Sequence, residues 1–213
     1  MKIARAEYNL FGVNTYIVWN PDSCEAAVID PGMQNPDECA HFKQVVERME
    51  LQITHLINTH LHIDHTLGDE FVKSMYGVGL MANDADAALG ASRGSQAAMF
   101  HLRGVPDTPV TIDINIKNGD KIFLGDEYLQ VIEVPGHSPG SVALYSPGDK
   151  FVITGDALFK GSIGRTDLPG GDHGTLVKAV TNELLTLPDE TVVYPGHGPS
   201  TTIGAEKISN PYL

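Results

Sequence analysis

The sequence predicts an α/β fold in which two β-sheets pack face to face with helices outside. Three observations predict it. Short strand-type runs cluster in two sets, and each set is followed by helical periodicity. That order, β-rich, helical, β-rich, helical, suits two stacked sheets and not a purely alternating doubly wound sheet. Hydrophobic residues make up 42% of the chain, enough for a sizeable core. No low-complexity tract, charge block or Pro/Ser-rich linker marks a boundary, so residues 1–213 are expected to form one domain.

The elements follow in order. Thr15–Trp19, Ala26–Asp30 and Ile53–Asn58 are apolar or alternating runs bounded by turn residues, and read as strands. Between the last two, Cys39, Phe42, Val45, Val46 and Met49 fall near one helical face, and Pro36 suits a first helical turn. Glu70–Tyr76 and an alanine-rich run from Asp84 to about Phe100 read as helices. Strands return at Lys121–Leu124, Tyr128–Val134, Ser141–Ser146 and Lys150–Thr154, separated by Gly-Asp, Pro-Gly and Pro-Gly-Asp turns. A helix over about Gly174–Leu187 precedes a last strand, Thr191–Tyr194.

Charge narrows the function classes. Fourteen basic against 27 acidic residues give a net charge of −13, which repels phosphate backbones and anionic lipid headgroups. Nucleic acid and membranes are therefore not expected partners. No run of ~18 apolar residues occurs, and no long apolar stretch follows Lys2 and Arg5, so neither a membrane span nor a signal peptide is read. The two cysteines, Cys24 and Cys39, match no metal-binding spacing and read as free thiols. A cytoplasmic protein is expected.

The chemistry concentrates in Thr59-His60-Leu61-His62-Ile63-Asp64-His65, which follows the apolar strand ITHLIN. On a helix His60 and His62 would point to nearly opposite sides, whereas in a tight loop all four donors converge. Four such donors exceed what one tetrahedral zinc uses while keeping an open position, which points to two metals. Further donors end other strands beside glycine: His137 in PGHSPG, Asp156 in TGD and His197 in YPGHG. Glycine lets backbone approach closely there. His55, inside its strand, reads as a hydrogen-bonded structural histidine, and Met49, Met75, Met81 and Met99 read as packing.

HxHxDH followed by separate His, Asp and His strand ends resembles the metallo-β-lactamase superfamily. Within it the chain is most similar to the glyoxalase II branch, the hydroxyacylglutathione hydrolases. The likeness spans Asn14–Trp19, VIDPG at 28–32, the histidine loop, GHSPGS at 136–141, TGDALF at 154–159 and YPGHGP at 194–199. GSIGRTD at 161–167 is similar to a short form of that branch lacking the helical C-terminal domain. The resemblance implies an αββα sandwich of two mixed β-sheets with helices on the outer faces. It implies a first metal on His60, His62 and His137, and a second on Asp64, His65 and His197, with Asp156 bridging. It further implies that a hydroxide shared by two divalent ions attacks the carbonyl of a small-molecule thioester, with Asp64 and Asp156 as catalytic groups that hold it and take its proton. Zinc is the first expectation, with iron or manganese as alternatives, since mixed N/O donors discriminate poorly among them.

Alternatives stay open at this point. A mononuclear iron persulfide dioxygenase of the same fold would use two histidines and Asp156. A non-catalytic metal-binding partner module is a third reading, and β-lactam hydrolysis a fourth, against which the missing export signal argues. For substrate binding, relatives carry a lysine and then a tyrosine after the bridging aspartate. Here Arg165 could replace the lysine and fork onto a glutathione carboxylate, or it could simply brace the loop by pairing with Asp167. The tyrosine is missing.

Overall fold

The computed structural model describes residues 1–213. The first sheet takes its strands in chain order: β1 (Lys2–Tyr8), β2 (Val13–Trp19), β3 (Glu25–Ile29), β4 (Gln52–Ile57), β5 (Leu80–Ala82) and β6 (Ile114–Asn115). The first three pair antiparallel and the rest parallel. Helix α1 (Pro36–Arg48) makes the β3–β4 crossover. It starts where Asn35 accepts a hydrogen bond from the Glu38 amide at 3.0 Å, with Pro36 at the first position. Helices α2 (Ile63–Thr66) and α3 (Asp69–Tyr76) link β4 to β5, and α4 (Ala87–Ala91) and α5 (Arg93–Met99) precede β6.

The second sheet is built from β7 (Lys121–Leu124), β8 (Glu127–Glu133), β9 (Val142–Ser146) and β10 (Phe151–Gly155), then β13 (Val192–Pro195) and β14 (Thr201–Thr202). Its spatial order is β14-β13-β10-β9-β8-β7, antiparallel except for the parallel pair β10–β13. A small hairpin of β11 (Leu158–Phe159) and β12 (Ser162–Ile163) and helices α6 (His173–Ala179) and α7 (Ile203–Ser209) complete it.

Alternation along the strands explains the layering, because successive side chains face opposite sides of a sheet. Tyr16, Val18, Ala27, Ile29 and Ile57 face Leu129, Val131, Leu144, Phe151 and Ile153 across the sheet–sheet interior. The intervening Ile17, Val28 and Leu56 pack outward on Phe42 and Val46 of α1 and Val72 of α3. On the other side, Ile132, Ala143, Val152 and Val193 pack on Leu176 of α6, Val180, Leu184 and Ile203 of α7. The result is the αββα sandwich of two mixed sheets.

Several elements differ from the sequence reading. Strands β1, β5, β6, β11, β12 and β14 and helix α7 were not read. The alanine-rich helix is broken at Ser92, whose hydroxyl donates to the Leu89 carbonyl at 2.7 Å and turns the chain between α4 and α5. The last long helix widens into a π turn over Val180–Leu184. The histidine loop is not wholly a loop, since Asp64 and His65 ride on the single turn of α2. No helix is long and apolar enough to cross a membrane.

Candidate metal centre

β8, β10 and β13 run in the same direction, so His137, Asp156 and His197 emerge from their C-terminal ends at one edge of the sandwich. The end of β4 delivers the histidine loop to the same edge. Backbone bonds fix the two sheets together there: the Asn14 amide donates to Gly196 O at 2.7 Å and the Val142 amide to Thr59 O at 2.8 Å. Two glycines permit the approach. Gly155 has φ +49°, and a Cβ there would collide with Thr59. A Cβ on Gly196 would collide with Asp156 Oδ1.

The seven sequence-predicted donors are thereby brought together in overlapping groups. His60 Nε2 lies 3.2 Å and His62 Nδ1 2.9 Å from His137 Nε2. Asp64 Oδ2 lies 3.2 Å from His197 Nε2 and 3.6 Å from His65 Nε2. Asp156 stands between, with Oδ1 3.4 Å from His65 Nε2 and Oδ2 3.7 Å from His137 Nε2 and 3.6 Å from His197 Nε2. His60, His65 and His137 are buried, while Asp64, Asp156 and His197 keep partial exposure.

Outer partners fix which ring nitrogen carries the proton. His137 Nδ1 donates to the Arg165 carbonyl at 2.8 Å, and His197 Nδ1 faces the carbonyls of Phe11 and Gly12 at 3.1 and 3.2 Å. His65 Nδ1 lies 3.0 Å from Asp30 Oδ2. Thr59 donates its hydroxyl to the same carboxylate at 2.7 Å, which leaves its oxygen to accept from His60 Nδ1 at 3.1 Å. Every Nε2 so fixed turns its lone pair toward other lone pairs or carboxylate oxygens. His65 Nε2 and Asp156 Oδ1 are buried with no hydrogen-bond partner. Such a set of converging donors fits divalent metal binding.

The electrostatics agree. Burial, with the neighbouring imidazoles, drives His60 well below the ordinary histidine pKa and His62 down to about 4. Against burial, the His65 and His197 rings hold the carboxyl of Asp64 below its usual value, and His65, His197 and His137 do the same for Asp156. Conversely, carboxylates overcome the effect of burial to raise His65 well above its ordinary value and His197 more modestly. A cation held by these two rings competes with protons for their nitrogens. Apparent metal affinity is therefore expected to fall as pH falls. Chelator competition at three pH values checks this, and a flat dependence would contradict it.

Three supporting residues were missed in the sequence. Asp30 and Thr59 form the brace just described, with the Thr59 amide also donating to Asp30 Oδ1 at 2.7 Å. The signal was present, because Val28-Ile29-Asp30 repeats the strand-then-acid arrangement that marks Asp156. Asp86, also buried, accepts from the Leu61 amide at 3.0 Å, the Gly140 amide at 2.6 Å and the Ser138 hydroxyl at 2.8 Å. It thus pins the His60–His62 loop to the His137 loop. Arg165 lines the cavity of the cluster, but its guanidinium holds both oxygens of Asp167 at 2.7 Å, the bracing arrangement. His55 makes the expected structural contact, 2.9 Å from Thr54 Oγ1. Met75 and Met99 do not pack as expected, and are largely exposed.

Residues 8–197 match the Metallo-beta-lactamase superfamily. The chain belongs to that superfamily. It is 35% identical to the hydroxyacylglutathione hydrolase GloC of Haemophilus influenzae, a match covering 100% of this chain and 98% of that protein. Among solved structures it is similar to the BLEG-1 B3 metallo-beta-lactamase, with TM-score 0.87 and 33% identity over 100% of this chain and 99% of that one. TTHA1623, solved in a di-iron-bound form, matches with TM-score 0.86 and 32% identity over 99% of this chain and 100% of its own. The chain is thus a member of a metallo-hydrolase superfamily, whose fold implies divalent metal binding.

Proposed function

We propose that this protein is a binuclear-metal hydrolase of the glyoxalase II branch that cleaves thioesters of the hydroxyacylglutathione type. The observation that carries the proposal is the completeness of two donor sets joined by one carboxylate: His60, His62 and His137; Asp64, His65 and His197; and Asp156 between them. A mononuclear iron centre would leave the second set without a purpose. The relationship to GloC supports the substrate class, and zinc is the proposed metal, with iron or manganese as substitutes in the same donors.

Two divalent ions held there would supply a nucleophile by ionising a water near pH 7 and would polarise the scissile carbonyl. The chain's own residues do the rest. Asp64 and Asp156, kept anionic by their histidine neighbours, orient that water and accept its proton. Asp30, Thr59 and the Arg165 carbonyl hold the imidazoles in register. No protein nucleophile is required, and both cysteines are free. The same reading puts the reaction in the cytoplasm, with a small-molecule thioester as substrate.

Arg165 is the proposed anchor for a thiol-carrier carboxylate, exchanging Asp167 for the substrate. Arg165→Ala is expected to raise KM for a glutathione thioester several-fold, with a smaller change in kcat, as loss of uniform binding requires. An unchanged KM in a fully metallated variant would leave Arg165 as a loop brace. The function itself is tested by following thiol release from a glutathione thioester beside oxygen uptake on a persulfide. Thiol release without oxygen uptake is expected, and the reverse would establish the dioxygenase. The likeness to BLEG-1 favours one second reading, attack on a β-lactam carbonyl. Running a cephalosporin in parallel separates the two.

A further inference from the structure

Beside the metal centre lies a second cavity, of about 160 Å³, walled by His62, Leu89, Met99, Phe100, Leu168 and Pro169. It shares His62, Phe100 and Leu168 with the cavity of about 180 Å³ that contains the donor cluster, so the two adjoin. We propose that this second cavity receives the acyl group of the substrate, and that the group is apolar and of benzene size. The proposal rests on the thioester-hydrolase reading above and goes beyond it, putting an apolar acyl group in place of a 2-hydroxyacyl one.

The wall chemistry carries the assignment. Apart from His62, no residue lining this cavity titrates. Of the polar side chains at its wall, Ser95 stands at the exposed rim, and the two deeper ones, Ser92 and Gln96, are already committed to backbone. Ser92 Oγ donates to Leu89 O at 2.7 Å, Gln96 Oε1 accepts from the Ile63 amide at 2.9 Å, and Gln96 Nε2 donates to Leu89 O at 2.9 Å. Past Ser95 at the rim, a 2-hydroxyacyl group would give up water for partners that are taken, a cost a hydrocarbon does not meet. The Phe100 ring is set edge-on to Phe11, centroids 5.4 Å apart, which fixes an aromatic wall between the two cavities. Met99 is 55% exposed although its helix neighbours Gln96 and Ala97 are buried, so a flexible apolar side chain stands at the cavity rim. A cavity near 150 Å³ lined by apolar side chains is known to hold benzene.

Charge sets the orientation. The only Lys or Arg lining either cavity, Arg165, belongs to the metal-side one and is absent from the apolar one. A charged thiol carrier is accommodated on the Arg165 side, which leaves the apolar cavity to the acyl side of the carbonyl.

Two measurements test this. In the first, kcat/KM is compared for lactoyl, acetyl and phenylacetyl thioesters of glutathione on the metal-loaded protein. Phenylacetyl is expected to exceed the other two by about tenfold or more, as filling an apolar pocket gives. Ser95→Trp, which fills the cavity from its exposed rim, is expected to bring that ratio close to one. In the second, the neutral probe phenylacetamide is titrated into the purified protein while the Met99 and Leu89 methyl resonances are followed by NMR. Saturable shifts are expected in the native protein and their loss in Ser95→Trp. Lactoyl hydrolysis as fast as phenylacetyl, or no methyl shift with the probe, would overturn the assignment. Saturable shifts with no thioester turned over would sink the hydrolase reading and leave the cavity as an apolar ligand site.

Discussion

Asp156→Ala is expected to empty both metal positions at once and to lower turnover by about 10³-fold or more, well past the ~10–100-fold that losing an outer partner costs. The reason is geometric. Asp156 is the one side chain whose two oxygens reach both donor groups, Oδ1 toward His65 and Oδ2 toward His137 and His197. Without it, five imidazoles and Asp64 must balance two dications with one negative charge. Metal content after chelation and repletion, read beside kcat, checks the expectation. Two metals per chain with kcat within about twofold of native would remove Asp156 from the ligand set.

Asp30→Ala is expected to have the next largest effect, although Asp30 touches no metal position. Its carboxylate is fully buried, accepts the amide and hydroxyl of Thr59 at 2.7 Å each, and faces His65 Nδ1 at 3.0 Å. Removing it strands buried donors and frees the His65 ring. It also leaves alanine at φ +51°, where a Cβ-bearing residue without a helpful side chain is strained. A loss of about 3 kcal/mol or more of folding stability is expected, with 10–100-fold weaker metal binding. Asp30→Asn keeps an acceptor for the Thr59 amide and should recover most of the stability but not the affinity. Denaturant midpoints and chelator competition on the two variants separate the effects. Native affinity in Asp30→Ala would show that the brace is dispensable.

These residues also show what a sequence discloses. The seven donors were legible because His60, His62, Asp64 and His65 crowd one segment after an apolar strand, and His137, Asp156 and His197 each follow an apolar strand beside glycine. The layering was legible because runs such as Tyr16–Ile17–Val18 and Leu129–Val131 carry strand character through apolar content. Strands β5, β6, β11, β12 and β14 were not, because two or three residues hold no period. They exist only because a neighbouring strand offers hydrogen bonds. β1 was missed for another reason. Its alternation is diluted by exposed or half-exposed positions along an edge strand. Asp30, at the end of the strand Ala26–Asp30, gave no such signal beyond that position, since a buried acid and a solvated strand-end acid look alike until the partner, His65, is in place. For Arg165 the sequence leaves two readings open, a substrate anchor or a loop brace, and the structure shows its guanidinium on Asp167.

The most direct measurement is elemental analysis of the purified protein, combined with hydrolysis of a glutathione thioester by the same preparation. Two divalent metals per chain and thioester cleavage that is lost with the metal are predicted. One iron per chain, with oxygen consumed on a persulfide and no thioester cleaved, would contradict the binuclear hydrolase.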